Sequence, residues 1–261
     1  MNRDLTKGSV SKSMLLFAIP MILGDLLQQC YNIADTLIVG QFLGRNALAA
    51  VGSSFTLMTF LTSIILGLCM GSGALFSMRF GERNEKALCE NLCASFFFIA
   101  FVTILLNILS FLCLDSLRIF LQVPLEVWND MRSYLFIIFL GIPAVFLYNY
   151  FASYLRAIGN SMIPLIFLAV SAILNIVLDL FFVIVLKAGS NGCGISTVLS
   201  EALCCLFCVI YIQKKVPILR LGKKWLIFDS RYLKKTVAYG WASAMQQATV
   251  QMGKIAIQAL V

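Results

Sequence analysis

Asp25, Asp35, Asp179, Glu201 and Lys254 each interrupt a stretch of the 261-residue chain that is otherwise free of charge. A charged side chain at the centre of a membrane helix costs about 2.5 to 3.5 kcal/mol. Five of them together approach the roughly 5 to 15 kcal/mol by which proteins are stable, so they must face one another or water. Their spacing agrees. Asp25, Gln28, Asn32 and Asp35 follow one another at intervals of 3, 4 and 3, Ser171, Asn175 and Asp179 at 4 and 4, and Thr197 and Glu201 at 4. Gln247, Gln251, Lys254 and Gln258 follow at 4, 3 and 4. Each series is a polar stripe along one face of a helix.

Hydroxyl and amide side chains in such stripes serve as interhelical hydrogen bonds, worth about 0.6 kcal/mol each. Carboxylates demand more, because two buried near each other must share a proton or bind a cation. Asp35 and Asp179, with Asn175 beside the latter, are therefore the leading functional candidates. Asp25, Glu201 and Lys254 rank below them, and Lys254 has the simpler role of neutralising one of the acids. Pro20 interrupts the backbone ladder of the first helix and provides a site for bending.

Other chemistry lacks its residues. The chain has no His, which removes the commonest general base. It has no G-x-x-x-x-G-K-[ST], no H-E-x-x-H and no G-x-S-x-G, and Gly71-Ser72-Gly73 is short of a dinucleotide loop by one glycine. Neither ATP hydrolysis nor any other enzymatic activity is expected, and no organic cofactor. The nine Cys lie mostly in apolar runs, and the lone C-x-x-C, Cys205 and Cys208, has no second ligand pair; they read as buried small hydrophobes. An ion-coupled carrier is the class that needs intramembrane carboxylates and nothing else.

The elements that position these residues are apolar helices. Hydrophobic residues make up 61% of the chain and charged ones 12%, with mean hydropathy +0.93, against about 45 to 50% and about 25% in a soluble domain. A soluble globule is excluded. Runs without a charge cover 46–78, 91–114, 133–155 and 157–178, each beyond the ~20 residues that cross about 30 Å of hydrocarbon. Three further spans, 13–39, 192–213 and 236–261, carry the charges named above. Seven helices follow, and a β-barrel is excluded because the runs are long and do not alternate. A G-x-x-x-G, Gly67 and Gly71, marks close helix packing on the second.

The net charge of +8 reflects topology, not nucleic-acid binding. With the N-terminus cytoplasmic, fifteen Lys and Arg fall inside, four (Arg45, Arg118, Arg132, Lys187) outside, and Lys254 in the membrane. Residues 1–213 then form a six-helix unit, 214–235 a basic cytoplasmic linker, and 236–261 a helix that resembles the first, since Gln246-Gln247 echoes Gln28-Gln29. A duplicated architecture is expected, as in many secondary transporters.

The residues also resemble a known family. Leu5-Thr6-Lys7-Gly8-Ser9, Ile19-Pro20, Gln28-Gln29-Cys30-Tyr31-Asn32-Ile33-Ala34-Asp35-Thr36, Val39-Gly40-Gln41-Phe42-Leu43-Gly44 and Ala47-Leu48-Ala49-Ala50-Val51-Gly52 are similar to multidrug and toxic compound extrusion (MATE) transporters, nearest the bacterial DinF-like and MepA-like branches. Gly71-Ser72-Gly73, Phe80-Gly81-Glu82, Leu155-Arg156-Ala157-Ile158-Gly159-Asn160 and Leu174-Asn175-Ile176-Val177-Leu178-Asp179 extend the match over essentially the whole chain.

The resemblance implies an all-α, polytopic membrane bundle of twelve helices in two lobes, of which this chain holds the six-helix N-lobe and the start of helix seven. It implies antiport of amphipathic, often cationic small molecules against H⁺ or Na⁺ across the bacterial inner membrane. The cation-coupling site falls on Asp35, Asn175, Asp179 and Thr197, with Na⁺ at the first three as the one metal expected. Asp25, Gln28, Tyr31, Asn32, Gln247 and Gln251 become cavity residues and Pro20 the hinge. Asp25 and Lys254 depart from the family pattern. The expected partners are the substrate, the bilayer and a missing C-terminal lobe. Two alternatives stand beside this one: a lipid-linked oligosaccharide flippase of the related superfamily, disfavoured because no Arg lies mid-span, and a fragment that does not transport.

Overall fold

Long apolar runs form helices in lipid because an unpaired backbone N–H or C=O there costs several kcal/mol. The computed structural model describes residues 10–116, 125–220 and 230–258, excluding the side chains at 10, 126, 230–232 and 254–258. Leu5-Thr6-Lys7-Gly8-Ser9, the basic residues at 3, 118, 223 and 224, and the Lys254 and Gln258 side chains lie outside the described set. The described elements are α1 (Val10–Phe42), α2 (Gly44–Gly81), α3 (Glu85–Leu112), α4 (Leu125–Ala157), α5 (Met162–Leu180), α6 (Gly189–Lys215) and α7 (Ser230–Gln258). A π-helical turn, Phe181–Val185, continues α5, and a 3₁₀ turn, Pro217–Leu219, follows α6. The fold is all-α, with no strand among the described residues.

Among the described residues six helices, α1 to α6, are long and apolar enough to cross a membrane. The seventh forms over 29 residues but is not one of the six; its run is diluted by Lys234, Lys235, Gln246, Gln247 and Gln251.

Residue-specific turns end the helices. Gly44, at φ +82°, separates α1 from α2. Between α4 and α5, Gly159 at φ +83° turns the chain, while the Asn160 N–H donates to the Leu155 carbonyl at 2.9 Å and Asn160 Oδ1 accepts from the Ile163 N–H at 3.3 Å. The Gly159-Asn160 pair thus closes one helix and caps the next.

Two packing features set the frame. Buried Tyr150 and Tyr154 of α4 meet α3 through Ser95 Oγ, at 3.2 and 2.6 Å, and Tyr150 OH donates to the Leu92 carbonyl at 2.7 Å. Phe76 of α2 stands edge-on to Tyr154 with ring centroids 4.7 Å apart. The second feature is the crossing of α2 and α7, where the predicted glycine pair allows backbone to touch backbone. A Cβ at Gly67 would lie 2.4 Å from Ala244 Cα, and one at Gly71 would lie 2.4 Å from the Tyr239 carbonyl oxygen. No side chain fits at either position.

Gly67→Val and Gly71→Val are therefore expected to destabilise the detergent-solubilised protein by roughly 1 to 3 kcal/mol or more, as overpacking does. Gly52→Ala, where a Cβ meets nothing within 4 Å, is expected to leave it unchanged. Thermal unfolding of the three variants checks this.

Candidate functional site

The register of α1 against α5 brings the leading candidates together. Gly24 faces Leu165 and Leu168, where an added Cβ would touch their methyl groups at 3.8 Å. Both helices follow the same direction across the bundle. Asp35 lies eleven residues beyond Gly24 and Asp179 eleven beyond Leu168, so equal rises of about 16 Å carry the two carboxyls to one level. There they lie close enough for a proton on one to bond the other.

Helix α6 returns antiparallel and closes the cluster. Ser196 Oγ donates to Asp179 Oδ1 and to the Cys193 carbonyl. Asn175 Nδ2 donates to Thr197 Oγ1 at 3.4 Å, and Ser171 Oγ to the Ser200 carbonyl at 3.0 Å. The stripe on α5 is thus read rung by rung by hydroxyls and a carbonyl of α6. Asp179 is 0% exposed and Asn175 2%.

Three oxygens in this cluster, Asp35 Oδ1, Asp179 Oδ2 and Asn175 Oδ1, are buried and accept no hydrogen bond. The ion pairs among the described residues, Arg79–Glu82, Lys86–Glu90 and Arg132–Asp115, lie elsewhere. An all-oxygen set with open acceptors and no basic partner among the described residues suits a proton or a hard cation.

A cavity of about 440 Å³ opens beside the cluster. Asp35, Asn175 and Thr197 line it, whereas Asp179 lies behind them, out of its lining. All six expected cavity residues, Asp25, Gln28, Tyr31, Asn32, Gln247 and Gln251, line it too, as does Pro20. Pro20 is buried, and α1 continues unbroken through it. Gln247 Nε2 reaches Met70 Sδ at 3.3 Å.

Some residues differ from the sequence-based expectation. Arg156, assigned to a cytoplasmic segment, lines the cavity from the last turn of α4. The positive-inside count has no depth resolution within a turn. Ser196, the direct partner of Asp179, was not singled out, although it adjoins Thr197 in sequence. Tyr134 and Tyr148 line the cavity from α4, and a lone Tyr in an apolar run gives no periodic signal. Cys30 and Cys113 are exposed, while six other Cys are buried.

Apolar helices around a carboxyl-bearing cavity define a multi-pass membrane protein of the transporter class. The MatE family model matches residues 20–181. The chain belongs to the MatE family. It is 33% identical over 211 residues to the probable multidrug resistance protein YpnP of Bacillus subtilis (strain 168), covering 81% of this chain and 47% of that protein. It is 30% identical over 260 residues to the probable multidrug resistance protein YoeA of the same strain, covering 97% of this chain and 56% of that one. A solved structure of an outward-facing multidrug resistance MATE family transporter of the MOP superfamily shares the fold with TM-score 0.87 at 24% identity, over 95% of this chain and 55% of that chain. The chain spans about half the length of the relatives it matches.

The juxtaposition of Asp35 and Asp179 has an energetic signature. A double-mutant cycle of Asp35→Asn and Asp179→Asn, read by denaturant unfolding, is expected to give a coupling energy of about 0.5 to 3 kcal/mol, as for groups in contact. A cycle of Asp25→Asn and Asp179→Asn, across ten residues of α1 or about 15 Å, is expected to be additive.

Proposed function

We propose that the chain forms one lobe of an ion-coupled secondary antiporter that moves amphipathic, often cationic molecules out of a bacterial cell, with its N-terminus on the cytoplasmic side. The observation that supports this reading best is the trio of open oxygens on Asp35, Asp179 and Asn175 beside a cavity that Asp35 itself lines. The coupling ion, H⁺ or Na⁺, enters through the cavity and meets Asp35 first. Asn175 and Thr197 orient it by their amide and hydroxyl oxygens, and Asp179, held by Ser196, supplies the second carboxyl.

Binding neutralises the contact between α1 and α5 and so changes how firmly α1 seats. Pro20 lies at the other end of the same face, where the ring has no N–H to offer the Leu16 carbonyl. The outer part of α1 can therefore move relative to its start at small cost. The cavity changes shape and cargo leaves as the ion binds. The half-length match to the relatives supports a second lobe as the partner that completes the cavity.

In vesicles of the complete two-lobe transporter loaded with a fluorescent cationic dye, Asp35→Asn and Asp179→Asn are each expected to abolish pH- or Na⁺-driven dye movement. Undiminished movement with unchanged ion dependence overturns the ion role. Vesicles made with residues 1–261 alone are expected to move no dye, and ion-driven movement by them overturns the one-lobe reading.

A further inference from the structure

Among the described residues Glu201 is, with Asp25 and Asp35, one of three acids that line the cavity, and the ion cluster does not use it. It lies on α6 one turn beyond Thr197, is half-buried, and lines the cavity. It makes no hydrogen bond or ion pair among the described residues, and none of the rungs between α5 and α6 includes it. The groups in its electrostatic range are Tyr31 of α1, Cys204 one turn further along α6, and Asp35. None of them is a cation.

Among the described residues Arg156 is the one basic side chain that lines the cavity, and it is not that partner. It acts on Tyr148 and Cys208. Arg156 sits in the last turn of α4, whereas Glu201 lies fourteen residues, about 21 Å, before the end of α6 at the same basic side of the bundle. A carboxylate held in a membrane cavity with no counter-charge among the described residues is costly, and the space in front of it is large enough for a small organic molecule.

We propose that Glu201 selects the charge of the cargo, docking a monovalent organic cation against its carboxylate with the Tyr31 ring as the apolar, electron-rich neighbour. The assignment rests on the transport reading above and adds a recognition residue distinct from Asp35 and Asp179. Arg156, at the other end, repels the same cation and orients it with its charge toward Glu201.

Tetraphenylphosphonium is the probe for the cation, and triphenylphosphine oxide, similar in shape and uncharged, is its neutral counterpart. Equilibrium dialysis against the complete two-lobe transporter in lipid nanodiscs, with this chain as its parent lobe, measures both. Glu201→Gln is expected to weaken tetraphenylphosphonium binding about tenfold or more, as losing a charge at contact distance in a low-dielectric site does, and to leave triphenylphosphine oxide unchanged. Glu201→Asp keeps the charge and is expected to keep most of the affinity. Equal affinity of Glu201→Gln and the parent transporter for the cation overturns the proposal. So does parallel loss of both probes, which marks Glu201 as structural. Failure of the parent transporter to bind either probe refutes the transport cavity itself, an outcome separate from failure at Glu201.

Discussion

The contact between Asp35 and Asp179 is the constraint around which the bundle is arranged. Two carboxyls meet inside apolar helices with no basic side chain against them among the described residues. In lipid such a pair persists only with a shared proton or a bound cation. Everything near it serves that requirement. The matched rises of α1 and α5 bring the acids to one level, and Ser196 fixes the rotamer of Asp179. Asn175, held by Thr197, still keeps its amide oxygen free.

A site that opened and closed as proposed would need one loose wall and one firm wall, and the helices divide that way. The firm wall is α4 against α2, α3 and α6, centred on fully buried Tyr150, Tyr154, Phe76 and Phe139. Its two buried tyrosine hydroxyls are satisfied internally by Ser95 and the Leu92 carbonyl. The loose wall is α1. Met14, Leu15, Ile22, Leu26, Ile33 and Leu37 face outward, and an outward face that lipid covers equally well in any orientation resists no rotation. The π turn Phe181–Val185, just past Asp179, adds a local irregularity at the level of the ion cluster, where such turns recur at functional sites.

Much of this was legible in the sequence, for identifiable reasons. The cost of charge in lipid made Asp35 and Asp179 conspicuous without any structure, and intervals of 3 and 4 placed their neighbours on the same faces. Gly67 and Gly71 announced a close crossing but not its partner, because a helix of small residues fits any backbone; only the fold shows that the partner is α7. Ser196 escaped because a serine carries no signal apart from what it touches. Arg156 escaped for a different reason. Counting charges by segment treats the end of a helix as outside the membrane, whereas a side chain in the last turn can reach back along a cavity wall. Helix α7 shows the limit of hydropathy: its polar side chains lower its apolarity, yet its backbone packs on α2 more closely than side chains would allow.

The depth of Glu201 decides what a charge-selecting role would mean for coupling. One helical turn, about 6 Å, separates it from Thr197, whose hydroxyl is proposed to orient the ion. Two positive charges at that spacing repel by roughly 3 kcal/mol at an effective dielectric constant of 20. An ion held at Asp35 and Asp179 would therefore weaken a cation held at Glu201, and the cation would weaken the ion by the same factor, because linkage is reciprocal. Were the two sites at opposite ends of the cavity, the repulsion would fall away and exchange would depend wholly on helix movement. Were they one site, cargo and ion would compete outright, and an uncharged cargo could not be coupled. A single turn of α6 lies between these cases. It would let repulsion favour exchange of a cationic cargo while leaving the movement proposed for α1 to act on any cargo the cavity holds.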